Sequence, residues 1–280
     1  MKKKIVCVNG MEEGLYESLA SLGEGYLMVS NYGVDMARRH TDLSGMILDG
    51  SESVLWPELG VSMNRNILSG VYTFADSTLS APAIECDFDF TPSGVSFYFL
   101  PDYCKRSNFS ELIDAYQVGR ISMNQLTSQR IERMPVFNTC PCCKDREKRI
   151  IANIENHPIS QVLKDLAKKG MEAEFKIMSD HVHMHAKWCP QEICYVDGQI
   201  NVISDMNILR VKASMIHGMR VFKRSKARQD YSVLRCYNSL GELMVELSAP
   251  GLEYEKLWNA MCMADSSNYS CVSEGAFLGD

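Results

Sequence analysis

The clearest pattern along the chain is a change of hydrophobic period near Gly170. Before it, His157-Pro158 leads into Ile159, Val162, Leu163 and Leu166 at helical spacing, with Pro in the first turn and Gly just past the end, which predicts an amphipathic helix. After it the period is two: Glu174 to Met178 and His181 to His185 alternate, and Glu192 to Val196 passes through Asp197-Gly198 into Gln199 to Ile203. Asp-Gly between two alternating runs predicts a hairpin. Further strands are predicted at Met215 to Phe222, Tyr231 to Tyr237 and Glu242 to Leu247, the last two joined by a turn at Ser239-Leu240-Gly241. Pro250-Gly251 ends the sheet, and Tyr254, Leu257, Trp258 and Met261 return at helical spacing as a closing helix.

The first half repeats this plan faintly. Ile5 to Val8 reads as a first strand, Leu15 to Leu22 as a helix, Tyr26 to Ser30 and Ser96 to Leu100 as strands, and Asn108 to Gln117 as a helix. Phe97-Tyr98-Phe99-Leu100-Pro101 ahead of Phe109, Leu112 and Ile113 mirrors Met244 to Pro250 ahead of the last helix, which suggests a degenerate internal repeat. Between the halves, Thr127 to Arg149 gathers polar residues, Cys140-Pro141-Cys142-Cys143 and the charge run Lys144 to Arg149. The expected division is therefore 1–126, a Cys-containing linker at 127–149, 150–264, and a flexible Ser-, Asn- and Gly-rich tail at 265–280.

Composition narrows the class. A chain of 280 residues that is 46% hydrophobic and 23% charged buries a sizeable core. No apolar run approaches the roughly 18 residues of a membrane span, so a soluble protein is expected. Twenty-nine Lys and Arg against 35 Asp and Glu leave a formal charge of -6, which argues against a nucleic-acid partner. Eleven cysteines are an odd number, and the start carries no signal-peptide apolar region. Reduced thiols in the cytoplasm fit better than a disulfide framework. P-loop, dinucleotide-fold, H-E-x-x-H and G-x-S-x-G patterns are all missing from the sequence, so nucleotide-dependent and triad chemistry find no support.

The residues that could carry chemistry lie in the second half. His181, His183 and His185 fall on alternate positions of a strand, so their imidazoles share one face. Such rings bind zinc, copper or iron, and a haem iron accepts one neutral imidazole; a solvent-facing polar strand is the plain alternative. With Cys189, and Cys194 close behind, the three His could form a mixed zinc or copper site of structural or sensory role, although the usual zinc spacing is missing. Vicinal Cys142 and Cys143 could hold a soft metal or simply be free thiols. Arg220, Lys223 and Arg224, followed by Lys226 and Arg228, offer charge-assisted hydrogen bonds to carboxylates or phosphates, or form a solvated turn.

From about Gly170 to Met261 the order of segments resembles the hemin-degrading HemS/ChuX family of cytoplasmic haem-handling proteins. Val182-His183-Met184-His185 is similar to the family strand ending in Ile-His or Val-His, and Ile200-Asn201-Val202 to its Phe-Asn-Leu stretch. Ile216 to Arg224 resembles the strand ending in an Arg-Lys pair, and Leu234 to Leu243 the family's Leu-Glu-Leu-Phe-Asp-x-x-Gly-x-x-Ile. Tandem members carry two copies, and Leu19 to Glu24 and Phe109 to Ile113 resemble phrases of their first copy. The resemblance implies an α+β fold of curved antiparallel sheets with helices on one side, in two degenerate copies. It implies a haem ligand, with His185 first for iron, His183 and His217 behind it, and Lys223, Arg224 and Arg220 for the propionates. It further implies a haem importer upstream or a haem acceptor downstream, leaves homodimerisation open, and allows either haem carriage or haem degradation. In tandem members a His just before the inter-repeat helix binds iron; Ser107 stands there here, which keeps a ligand-free interaction module of the same fold in view.

Overall fold

The computed structural model describes residues 4–50, 52–74, 82–89, 91–133, 141–226, 229–250, 253, 255, 256 and 259. The chain begins with β1 (Lys4–Val8), α1 (Glu13–Leu19), β2 (Gly25–Asn31) and β3 (Val34–His40). Short strands β4 (Ile47–Asp49), β5 (Ser53–Trp56) and β6 (Val61–Asn64) follow, then β7 (Leu68–Phe74), β8 (Ala83–Phe88) and β9 (Gly94–Phe99). The middle of the chain is α2 (Arg106–Tyr116), β10 (Gln117–Ser122), α3 (Met123–Arg133), α4 (Pro141–Ala152) and α5 (Pro158–Lys169). The second half is β11 (Ala173–Met178), β12 (Val182–Trp188), β13 (Glu192–Val196), β14 (Gln199–Ile203), β15 (Asn207–Val211), β16 (Gly218–Lys226), β17 (Gln229–Tyr237) and β18 (Leu243–Pro250).

Local sequence explains the best-defined of these. In α5, Pro158 opens the helix, the His157 Nδ1 accepts from the Ile159 N–H at 3.3 Å, and Gly170 closes it in the left-handed conformation. The predicted hairpin joins β13 to β14 with Asp197 and Gly198 both at positive φ, 51° and 73°, as a tight type I′ turn requires. The residues predicted to line the closing helix, Tyr254, Leu257, Trp258 and Met261, and the expected tail lie outside the described residues.

The strands form two antiparallel sheets, in the orders β10-β1-β7-β8-β9-β2-β3-β15-β14-β13 and β16-β17-β18-β11-β12-β6-β5-β4. Read from β7 in the first and β16 in the second, the two orders follow one plan, so the internal repeat is real. The copies interlock, however. Strands β13 to β15 of the second copy complete the first sheet beside β3, and β4 to β6 of the first copy complete the second beside β12. Each exchange covers an edge that would otherwise expose unpaired backbone groups. The stretch 127–149, expected as a linker, holds the second half of α3 and most of α4.

The sheets pack face to face. Leu27, Val29, Val34 and Met36 of the first share one core with Phe175, Ile177, Met184 and Leu247 of the second, all fully buried. Each such side chain contributes roughly 1.5–3 kcal/mol of burial. Helices α1 and α5 close the core through Leu15, Tyr16 and Leu19 and through Ile159, Val162, Leu163 and Leu166. Helix α3 instead covers the outer face of the first sheet, setting Leu126 against Ile5, Tyr72, Phe74 and Ala83. Among the described residues no helix is long and apolar enough to cross a membrane.

Candidate functional site

Strand β12 alternates buried and exposed residues throughout, so Val182, Met184, Ala186 and Trp188 enter the core while His183, His185 and Lys187 stand on the outer face of the second sheet. The rings of His183 and His185 are stacked at 6.5 Å with an interplanar angle of 22°. Ser62 Oγ lies 2.9 Å from His183 Nδ1. Burial, with the neighbouring His185, lowers the His183 pKa, so that ring is neutral at pH 7 and keeps a lone pair for a metal. Gly60 lets the turn before β6 come close enough for the His185 N–H to donate to its carbonyl at 2.9 Å. A Cβ there would sit 2.1 Å from the His185 carbonyl oxygen.

Strand register defines what surrounds the pair, because directly opposed residues project to the same side. One row runs Ile47, Leu55, Ser62, His183, Met178 and the next runs His185, Lys176, Glu246, Arg235, Arg220. Ile47 is 51% exposed and Met178 38%, so the imidazoles have exposed apolar side chains on both sides of their row. The other row is cationic apart from Glu246. That carboxylate is 2% exposed and is held by Arg224 at 3.0 Å and Arg235 at 2.7 Å, with Lys176 at 3.7 Å. Burial alone pushes its pKa up, but the hydrogen bonds and charges of Arg224 and Arg235 prevail and hold it below the usual range. The same two guanidinium groups lie over the Phe222 ring, at 5.7 Å and 5.0 Å.

The residues singled out in the sequence do not all meet. Arg220 and Arg224 share the face of the His pair, but β16 alternates and turns Lys223 to the opposite side. His217 precedes β16, with Nδ1 3.1 Å from the Met215 carbonyl; burial first, and then Arg146, outweigh that hydrogen bond and lower its pKa. His181 leaves the alternation before β12 begins, and its ring lies 5.9 Å from that of Phe88. Cys189 Sγ is engaged within its own turn, 3.5 Å from the Pro190 carbonyl. Among the described residues no three His, Cys, Asp or Glu side chains gather to hold a metal ion. The zinc or copper set of His181, His183, His185 and Cys189 is therefore not assembled. Ser107 is on the exposed first turn of α2, bonded to Asn108 Oδ1 at 3.1 Å. Cys142 and Cys143 open α4, and Cys140 and Arg228 lie outside the described residues.

Sequence reasoning missed two buried side chains and a cavity. Arg146, read as part of a charge run, is 7% exposed and donates to the carbonyls of Ser214 and Ile216, pinning α4 to the segment before β16. His157, read only as a helix start, is buried, and burial followed by Arg146 lowers its pKa to about 4. A charged residue at one helical position among solvated neighbours gives no periodic signal of burial. The cavity, of about 300 Å³, lies on the outer face of the first sheet, beside Arg130 and Arg133 of α3.

No family model matches the sequence, and no curated protein matches it. Solved structures do match its fold. Holo-PhuS, a heme-binding protein from Pseudomonas aeruginosa, superposes with a TM-score of 0.69 at 10% identity, over 92% of this chain and 86% of that one. ChuS, an E. coli heme oxygenase, gives a TM-score of 0.65 at 13% identity, over 93% and 88%. The chain thus has the tandem, two-sheet α+β fold expected from the HemS/ChuX resemblance. Its particular fold is the one that PhuS and ChuS share along nearly their whole length.

Proposed function

We propose that this chain binds haem on the outer face of its second sheet and carries it through the cytoplasm from a haem importer to a haem acceptor. The observation that carries the reading is the setting of His183 and His185: neighbouring imidazoles, one in the row of Ile47, Leu55 and Met178 and the other in the adjoining row with Lys176, Arg235 and Arg220. A haem needs these three things, an imidazole for iron, apolar side chains against the macrocycle and cations near the propionates. His185 is the first choice for iron and His183 the second, with Lys176, Lys187 and Arg220 on the propionate side. His217 and Lys223 leave the set because they lie off this face. The fold shared with a heme-binding protein and a heme oxygenase supports the same reading. An open sheet face suits release to a partner better than chemistry that must exclude water. The free thiols of Cys7, Cys86, Cys104, Cys189, Cys194 and Cys236 suit a reducing compartment.

Hemin titration tests it. The intact protein gives a saturable, shifted Soret band at one haem per chain, and His185→Ala moves or weakens that band while far-UV circular dichroism stays unchanged. Absence of a saturable band in the parent removes the function. An unchanged band in both His183→Ala and His185→Ala keeps haem binding but removes this face as its place.

A further inference from the structure

The two copies of the repeat differ most sharply on their outer faces. In the second sheet, Arg235, Glu246 and Lys176 are opposed across β17, β18 and β11. Their counterparts across β8, β9 and β2 are Glu85, Ser96 and Met28, and the next row is Asp87, Gly94 and Ser30. Where one copy has Glu246 and Lys176, the other has the shorter Ser96 and the uncharged Met28, with Gly94 and Ser30 in the row beside them. The cavity of about 300 Å³ occupies that space.

Its walls are part polar and part apolar, and the charges among them cancel. Arg130 donates to both oxygens of Asp87, at 2.8 Å and 2.7 Å, and to Glu85 at 2.7 Å. Arg133 reaches Asp87 at 3.4 Å and is also hydrogen-bonded with the Tyr72 side chain, and a guanidinium has further donors for another acceptor. Ser30, Ser96, Tyr98, Thr91 and Ser93 add hydroxyl-bearing side chains to the lining, and Met28, Cys86 and Pro92 give it apolar patches against which the C–H face of a ring can pack. Two carboxylates against two guanidinium groups present no net charge for an ion, and a space of about 300 Å³ is at the small end of ligand pockets, short of what a macrocycle needs. Donors and acceptors alternating around a small space suit a ligand that is both at every position.

We infer that this cavity binds a small, uncharged, polyhydroxylated molecule of monosaccharide size, at a site separate from the second sheet's imidazole face. The test is an NMR titration of the isotope-labelled full chain with D-glucose and with myo-inositol, with sodium acetate and glycine as charged comparisons. At least one polyol is expected to give saturable shifts at the amides of Ser30, Gly94 and Ser96, with a Kd of about 1 mM as a small ligand allows. Ser30→Val, which fills the cavity floor, and Arg133→Gln are each expected to weaken binding at least tenfold, with the hemin titration unmoved. Silence from both polyols, stronger shifts with acetate or glycine, or undiminished binding by Ser30→Val overturns the assignment.

Discussion

The side chain of Asn31 is 1% exposed and spans the two sheets: Nδ2 donates to the carbonyls of Met178 at 2.8 Å and Leu243 at 3.1 Å, and Oδ1 accepts from Ser93 Oγ at 3.2 Å. Asn31→Ala removes the partner of two part-buried carbonyls and of the buried Ser93 hydroxyl, so urea denaturation should register a loss of about 2–4 kcal/mol. Asn31→Asp should cost at least as much, because a carboxylate then faces two carbonyl oxygens. A loss below about 1 kcal/mol in both would show that water takes over these groups. Two buried histidines give a separate residue-scale expectation. His40 is 3% exposed with neither ring nitrogen hydrogen-bonded, and burial lowers its pKa to about 4, against the pull of Asp42 and Glu24. His157 is lowered to about 4 by burial and Arg146. A histidine whose folded pKa lies below its unfolded 6.5 takes up protons on unfolding, so its contribution is intact above pH 6.5 and is lost as the pH falls towards about 4. From pH 7 to pH 5 each should remove on the order of 2 kcal/mol. His40→Leu should flatten this dependence and, by removing an unpaired donor, should not destabilise the protein at pH 7. A pH profile unchanged by that substitution would contradict the burial account.

At the scale of elements, glycine shows how much depends on the neighbours. Gly60 and Gly170 have nearly the same left-handed φ, 66° and 60°. Gly170→Ala meets nothing within 4 Å, so only the backbone preference of about 1–2 kcal/mol is lost. Gly60→Ala drives a Cβ into the His185 carbonyl, so it should lower Tm several degrees further and disturb hemin binding, which Gly170→Ala should leave alone. The same contrast separates what the sequence made legible from what it hid. Helix α5 and the β13–β14 hairpin were readable because their signals are local: a proline start, a glycine stop, an Asp-Gly turn. Strands β4 to β6 were not, because Ile47–Asp49, Ser53–Trp56 and Val61–Asn64 are short, and the meander they form joins its sheet only where β6 pairs with β12, far along the chain. The His183 and His185 face was legible from alternation. That Lys223 points away follows from the same alternation, whereas Glu246 as the anchor of Arg224 and Arg235 depends on registers that no single strand reveals.

At the scale of the whole molecule, the exchange of strands makes each copy dependent on the other. Residues 1–133 alone would leave the β3 edge without β15, and residues 141–280 would leave the β12 edge without β6. Each half would also expose its side of the shared core, including Leu27, Val29 and Met36 on one and Phe175, Ile177 and Leu247 on the other. Neither fragment is expected to show cooperative unfolding by itself, and their co-expression should restore one transition with a native circular dichroism spectrum. The proposed haem face gives this a functional readout. It draws Ile47, Leu55 and Ser62 from the first copy and His183, His185 and Met178 from the second, so a hemin band should return only when the fragments combine. Cooperative folding of 141–280 alone, with the full hemin band, would mean that the second copy needs neither the borrowed strands nor the apolar row they supply.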